Sequence, residues 1–328
     1  MFCASLGSDP LLTQASGGNV SCKEGRTLWV KASGTRLADA LERDIFLPVE
    51  LTAVLDRLAA GLENLADLSF GGQRPSMETF FHAVLPQKIV LHLHLLDAVI
   101  HSARLDSFNF LKEALHGFDW GLIQYAKPGL ALGQSLETAL RSSAKNPNVF
   151  ILQNHGIILA GESWPELRTL LNNLRERLWL APRPMPLADL ATLDNVNDLG
   201  WSIPTAPEPH FPAFEEAGYK MAESAPLFPD QVVFLGPTPF LLSGDDKLSL
   251  GLAKFTAGHG YEPRFVMVKN AGILLSSKAT AGVQATLEAL GLICARTKKE
   301  HDLRGLSQAD VQELSRFEAE AWRLNQDV

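Results

Sequence analysis

The sequence predicts a layered α/β protein, and three observations carry that expectation. Short apolar segments of strand length alternate with segments of helical spacing over residues 28–180, the pattern of a sheet covered by helices. The composition, 46% hydrophobic and 20% charged, is that of a chain with a large packed core, which argues against disorder. A proline cluster at 181–212 breaks the alternation and reads as a linker between two parts. The 328 residues are enough for one large domain or two ordinary ones.

Taken in order, residues 28–31 (LWVK) predict a short strand ending in the Ala-Ser-Gly-Thr turn at 32–35. Residues 51–62 carry apolar side chains at helical spacing and predict an amphipathic helix. A Gly-Gly-Gln-Arg-Pro loop follows. Ser76, Met77 and Glu78 then open a second helix, with Ser76 as N-cap, and that helix stops before Pro86. Residues 88–96 (KIVLHLHLL) form a buried strand, and Asp97 caps a helix over 98–104. A strand is expected at 118–125 and a helix at 134–145. Two short strands over 149–159 are broken at Gln153, Asn154, His155 and Gly156. Ser163 and Glu166 have capping-box spacing at the start of a helix running to about residue 180.

Beyond the linker, the pattern gives a short helix at 214–224, strands at 231–235 and 264–269, and helices at 279–297 and 308–325. A faint internal repeat crosses the linker. Residues 86–94 align with 229–237, and 149–157 with 265–273, which places Leu235, Pro237 and Ala271 where the first half has His92, His94 and His155. The expected organisation is a domain over 1–181, a linker over 182–212 and a smaller α/β domain over 213–328, a degenerate partial copy that has lost its histidines.

The formal net charge of −8 disfavours nucleic acid as a partner, since phosphate backbones are bound by basic surfaces. Three cysteines without a C-x-x-C pair argue against a disulfide framework and for a reducing compartment. The first residues lack a basic stretch followed by an apolar one, and no apolar run approaches the length of a membrane span. The expected location is the cytoplasm, with no membrane partner.

His92 and His94 are two apart in a strand, so both rings leave the same face and reach one ion. Between Leu91, Leu93 and Leu95 that face is dry, and two unpartnered imidazoles would be costly there. Satisfied core histidines are the plainer alternative. His155 sits at a strand break beside Gly156, which permits close backbone approach. Three histidines leave open the fourth position that a catalytic zinc needs. Of the rest, His82 and His101 fall on predicted helices near the site, as supporting groups or as ordinary helix positions. Glu78 is the acid at the start of a helix, where a carboxylate also serves simply to complement the helix dipole. The turns at Gly18–Asn19 and Ser33–Gly34 are small enough to present N–H groups to an anion.

These segments together resemble the class II aldolase/adducin family. The matching pieces are Ser16 to Ser21 (SGGNVS), Lys31 to Thr35 (KASGT), Arg74 to His82 (RPSMETFFH), Val90 to His94 (VLHLH) and Leu152 to Ile157 (LQNHGI). The resemblance covers residues 11 to about 180, in the longer format of the family's larger sugar-aldolase-like members and of aldolase portions fused to dehydrogenases. No Gly-rich dinucleotide fingerprint follows, so no dehydrogenase half is expected. The fold it implies is a three-layer α/β/α domain with a mixed, mostly antiparallel sheet, followed by the smaller domain.

By that resemblance, His92, His94 and His155 match zinc ligands (other divalent ions being possible), and Glu78 matches the general acid/base. Gly18, Asn19, Ser33, Gly34 and Ser76 match phosphate-binding positions. Met77 departs from the pattern, since the aldolases carry a second serine there. The activity implied is metal-dependent aldol cleavage of a sugar, sugar acid or sugar phosphate through an enediolate, by a homo-oligomer. Glu78 would move the proton once burial had raised its pKa. A related epimerase or dehydratase is the nearest alternative. An adducin-like binding protein is the non-catalytic one, and it predicts lost ligands that are all present here.

Overall fold

A computed structural model describes residues 1–143, 145–214, 225–298 and 302–327. The chain divides into two compact units. The first comprises Met1–Trp179 with Glu318–Gln326, and the second comprises Leu180–Phe317 with the last two residues.

The first unit is built on seven strands: β1 (Asn19–Glu24), β2 (Thr27–Lys31), β3 (Phe46–Glu50), β4 (Ile89–Leu93), β5 (Trp120–Ile123), β6 (Val149–Leu152) and β7 (Gly156–Gly161). Their order is β3-β2-β1-β4-β7-β6-β5. Every neighbouring pair is antiparallel except β5 and β6, so the sheet is mixed and mostly antiparallel as expected. Pro48, which cannot donate to a ladder, lies in β3 at the sheet edge.

Strand alternation sorts the side chains of β4 and β7 onto two apolar layers. Leu91, Leu93, Ile157 and Leu159 face one cluster with Leu111 of α5 (Ser107–Ala114) and with Leu167, Leu171 and Leu174 of α7 (Trp164–Leu178). Val90, Ile158 and Ala160 face the other, with Phe81 of α3 (Thr79–Val84) and with Leu132 and Leu136 of α6 (Leu130–Ser142). Helices thus cover both faces of the sheet. The leucines flanking the histidines consequently lie on the opposite face from His92, a correction to the dry-face argument. On the histidine side, Phe81 of α3 supplies the apolar cover, meeting His92 edge-on with ring centroids 5.3 Å apart.

Local boundaries move for identifiable reasons. The helix α2 (Leu51–Ala60) stops where Gly61 turns left-handed. Ser163 does cap α7, accepting the Glu166 N–H, but Glu166 reaches back to the N–H of Glu162, so the box is only half formed. Asp97 is not an N-cap. The helix α4 (Leu96–Ala103) starts two residues earlier, with Leu95 at the cap and Asp97 buried in the first turn. Ser76 is not one either, because a turn over Met77 and Glu78 intervenes and α3 begins at Thr79.

The second unit holds β8 (Leu241–Leu242), β9 (Phe265–Val268) and β10 (Gly272–Leu275) in the order β10-β9-β8, β8 parallel and β10 antiparallel to β9. Its helices are α8 (Leu190–Val196), α9 (Leu248–His259), α10 (Ala281–Arg296) and α11 (Gln308–Ser315). Residues 182–212 are not a free linker. Leu193 and Val196 of α8 are fully buried against Val266, Val268 and Leu274, and Ser202 bridges to Leu275. The expected strand at 231–235 is instead a helical turn of π type, Gln231–Leu235, because a short apolar run buried on all sides has no period to choose by. The expected helix at 308–325 is two helices, α11 and α12 (Glu318–Asn325), and the second belongs to the first unit. The helix expected at 214–224 falls on residues outside the described ones apart from Phe214.

The alignment of 86–94 with 229–237 therefore sets a strand against a helical turn and fails. That of 149–157 with 265–273 sets hairpin against hairpin. Asn154 and Asn270 both turn left-handed, at φ 57° and 59°, two residues before Gly156 and Gly272.

Gly156 lets β7 approach β4: a Cβ there would stand 2.3 Å from the Leu93 carbonyl oxygen. We expect Gly156→Ala to cost about 1–3 kcal/mol through this overlap, read as a lower denaturant midpoint at unchanged m-value. In the second unit His210 accepts the Ile273 N–H on Nδ1 and donates from Nε2 to the Pro204 carbonyl, which requires a neutral ring. Burial lowers its pKa, opposed by the bond to Pro204. The folded state then binds protons more weakly than the unfolded one, so its contribution is present above about pH 6.5 and fades as pH falls below it. Denaturant unfolding from pH 7 to pH 5 should lose stability in the wild type with a smaller slope in His210→Gln.

Candidate metal centre and active site

The site is assembled by two neighbouring strands and one turn. His92 lies in β4 opposite Ile158 of β7, and His94 lies one residue beyond the end of β4. His155 sits in the β6–β7 hairpin after the left-handed Asn154, whose N–H is held by Ser102 Oγ at 3.1 Å. These constraints bring one ring nitrogen of each histidine within 4.8 Å of the others, and all three side chains are buried.

His92 Nδ1 is 3.0 Å from the carbonyl of Ile157, which fixes the ring and turns Nε2 to the centre. There His94 Nε2 lies 3.2 Å away and Glu78 Oε1 3.3 Å away, with His155 Nε2 3.4 Å from the same carboxylate oxygen. Two imidazole nitrogens facing each other at that distance cannot both present lone pairs unless a cation lies between them. With Zn–N bonds of about 2.0–2.1 Å, tetrahedral geometry sets neighbouring nitrogens roughly 3.3–3.4 Å apart. The donor set and its spacing fit a divalent ion held by three neutral imidazoles, with room left for an oxygen ligand.

Glu78 occupies the N-cap position of α3, yet its side chain makes no capping bond. The carboxylate points to the histidines instead, which answers the helix-dipole alternative. Burial pushes its carboxyl up, but without a metal the charge and hydrogen bond of His92, with His155 and His94, pull it well below the usual carboxylate range, a pull that a bound divalent ion would supply once the rings are neutral ligands. The raised pKa expected from burial is therefore corrected: Glu78 is held ionised by its neighbours.

The turn residues fall into place around this centre. Gly18 has φ +73°, and a Cβ on it would lie 3.2 Å from the His92 carbonyl oxygen, so this loop crosses the end of β4. Asn19 pairs with His92 in the ladder and is fully buried. Ser76 Oγ accepts the Glu78 N–H at 3.2 Å, and its own N–H donates to the Lys31 carbonyl. Ser33 donates its N–H to the Arg74 carbonyl, and Gly34 follows at φ +80°. Of the positions expected to bind phosphate, Gly18, Asn19 and Ser76 thus adjoin His92 or Glu78, and Ser33 and Gly34 are tied to the same turn through Arg74.

His82 and His101 serve the scaffold. His82 Nδ1 meets Ser21 Oγ at 2.8 Å, and burial drives its pKa well down despite Glu78. His101 Nε2 reaches the Leu178 carbonyl and its ring stacks on Phe110. Lys31 has a structural role that sequence reasoning did not isolate. It is 2% exposed, and its Nζ donates to the carbonyls of Ser16 and Thr35 at 3.0 and 2.6 Å, tying the two turns together. Its strand parity is that of Trp29, which is 38% exposed, so alternation gave no reason to bury it.

Residues 2–178 match the model of the class II aldolase and adducin N-terminal domain, more than half of the chain. The chain belongs to the class II aldolase and adducin family. A curated relative in the family region, an uncharacterized oxidoreductase, YuxG, of Bacillus subtilis (strain 168), is 28% identical over 177 residues, 48% of this chain and 25% of the relative. The chain thus spans about a quarter of that relative's length. A solved N-terminal class II aldolase domain of a conserved protein from Thermoplasma acidophilum has a TM-score of 0.46 at 24% identity, covering 54% of this chain and 88% of that one. An L-fuculose 1-phosphate aldolase gives 0.39 at 14% identity over 54% and 81%. The assignment rests on the family match. Among the described residues no helix is long and apolar enough to cross a membrane.

Purified protein should carry about one divalent ion per chain, and His155→Ala should lose it. Mass spectrometry of metal content in the two proteins measures this. A wild type that neither carries a metal nor takes one up from added zinc would return the three histidines to core residues.

Proposed function

We propose that this chain is a zinc-dependent class II aldolase that cleaves a carbon–carbon bond in a sugar or sugar derivative. The observation that carries the proposal is the convergence of His92 Nε2 and His155 Nε2 on a single carboxylate oxygen of Glu78 in a buried space, with His94 Nε2 beside His92 Nε2. Membership of the family supports a reaction of the aldolase type, and the presence of all three histidines argues against a purely adducin-like binding role.

An ion held by the three imidazoles supplies Lewis acidity to a ketose carbonyl and its adjacent hydroxyl, stabilising the negative charge that carbon–carbon cleavage releases. The remaining work falls to the chain's own residues. In cleavage, the hydroxyl on the departing carbon loses its proton and its carbon becomes an aldehyde. The bonding pair passes to the former carbonyl side, and the carbon left behind takes up one proton. Glu78 is the group placed to hold that proton between leaving oxygen and carbon. The carboxylate accepts the proton in its ionised form and returns it from its protonated form. The Ser76 hydroxyl bonded to the Glu78 N–H keeps the turn, and so the carboxylate, in place. Phe81 and the sheet exclude water from the histidine rings.

The test is a screen of zinc-loaded protein against sugars, sugar acids and sugar phosphates for aldehyde release. In Glu78→Gln the metal should be retained while turnover falls by about 10²–10⁴-fold. Turnover like that of the wild type in this variant would remove the assigned role, and no cleavage across the panel would remove the aldolase reading.

A further inference from the structure

The helix α12 lies in the same compact unit as the metal centre, although it follows the second unit in sequence. It packs on the corner that joins the small turns to Glu78. Arg74 Nη1 donates to Glu318 Oε1 at 2.8 Å, and the Arg74 guanidinium carbon lies 3.9 Å from the centre of the Trp322 ring. At the far end of the helix, a Cβ built on Gly34 would stand 2.6 Å from Gln326 Cβ and 2.7 Å from its Cγ. Glu320, 2% exposed, pairs with Arg323 within the helix.

Arg74 is tied directly to the turns. Its carbonyl accepts the Ser33 N–H, Pro75 bridges to Ala32, and Ser76 donates to the Lys31 carbonyl. Four residues beyond Arg74 lies Glu78. A phosphate in this corner would be held by turn N–H groups and a guanidinium fork. Here a carboxylate and an indole face already engage that guanidinium, and the Gln326 side chain fills the space against Gly34. Met77, which offers no hydroxyl, lies buried in the same turn. α12 thus neutralises the guanidinium of this corner and covers it with an indole face.

Resting on the aldolase reading above, we infer that α12 is a specificity element. It keeps a phosphate out of the Ser33–Gly34–Arg74 corner and directs the site to substrates whose end distal to the metal is uncharged and hydroxyl-bearing. Part of the substrate site is then supplied by a helix outside residues 2–178, which the family match reaches.

The experiment titrates inorganic phosphate by calorimetry into full-length wild type, Glu318→Gln and Glu318→Gln/Gln326→Gly, each with and without zinc. The Glu318 side chain is 74% exposed, so its replacement leaves the fold intact, which thermal unfolding checks. The pair is a surface one, and its loss should tighten phosphate binding by roughly two- to fivefold, with a larger gain in the double variant. Adding Arg74→Gln to the double variant should abolish the gain. Wild type that already binds phosphate through Arg74, or a folded double variant that binds it no more tightly, overturns the inference. Failure of the underlying reading looks different: wild type takes up no zinc, while the phosphate comparison in metal-free protein can still be read, because Arg74 is not a ligand.

Discussion

The pairing of β4 with β7 is the contact on which the site depends. It sets His92 against Ile158, carries His94 just past the strand end and places the hairpin bearing His155 beside it. The pairing is possible only because residue 156 has no side chain, since the Leu93 carbonyl occupies the space a Cβ would need. Close backbone approach is usually a packing matter. Here it also fixes a distance between nitrogen atoms, so the same glycine serves the core and the candidate metal centre. The carbonyl of Ile157, one residue on, then orients the His92 ring. Sheet register and ligand tautomer are consequences of one backbone arrangement.

A second layer of order comes from charge. Glu78 is buried and held ionised by the surrounding imidazoles, and Lys31 is buried on two carbonyls. Neither charge is used to stabilise the fold in the ordinary sense, since burying an ion is costly unless the surroundings are well matched. What they gain is position. Lys31 ties the turn after Gln14 to the turn before Leu37, and Glu78 makes no cap for its own helix so that its oxygen can face the metal position.

How far the sequence was legible follows from the physical origin of each feature. β4, β6 and β7 were plain, because an apolar run of strand length between turn residues admits few other readings. The meeting of His92 with His94 was legible for the same reason: residues two apart in a strand share one face. β1 and β3 were missed. Asn19 to Glu24 (NVSCKE) is mostly polar and Pro48 interrupts β3, and each strand exists because a neighbour supplies its ladder. The segment at 231–235 was read as a strand although it is helical, since burial on every side removes the periodicity that separates the two. The pKa of Glu78 was read in the wrong direction because burial is visible from a sequence while the arrangement of three rings around a carboxylate is not. The return of residues 318–326 to the first unit was invisible, being wholly a matter of tertiary contact.

The second unit bears on whether the histidines are there for the fold. Its sheet repeats the order and directions of β5, β6 and β7: a parallel pair followed by an antiparallel hairpin. Both hairpins turn on a left-handed asparagine and release into a glycine at large positive φ. In the second, Ala271 stands where the first has His155, and it is fully buried among Val266, Val268 and Leu274. The Gly272 backbone is met by His210, whose two nitrogens are satisfied by a backbone N–H and a carbonyl. A hairpin of this kind therefore closes with an alanine at its turn and needs no imidazole there. His155 is not a requirement of the turn that carries it, and neither turn geometry nor core packing explains why its ring meets two others and a carboxylate. A bound cation would.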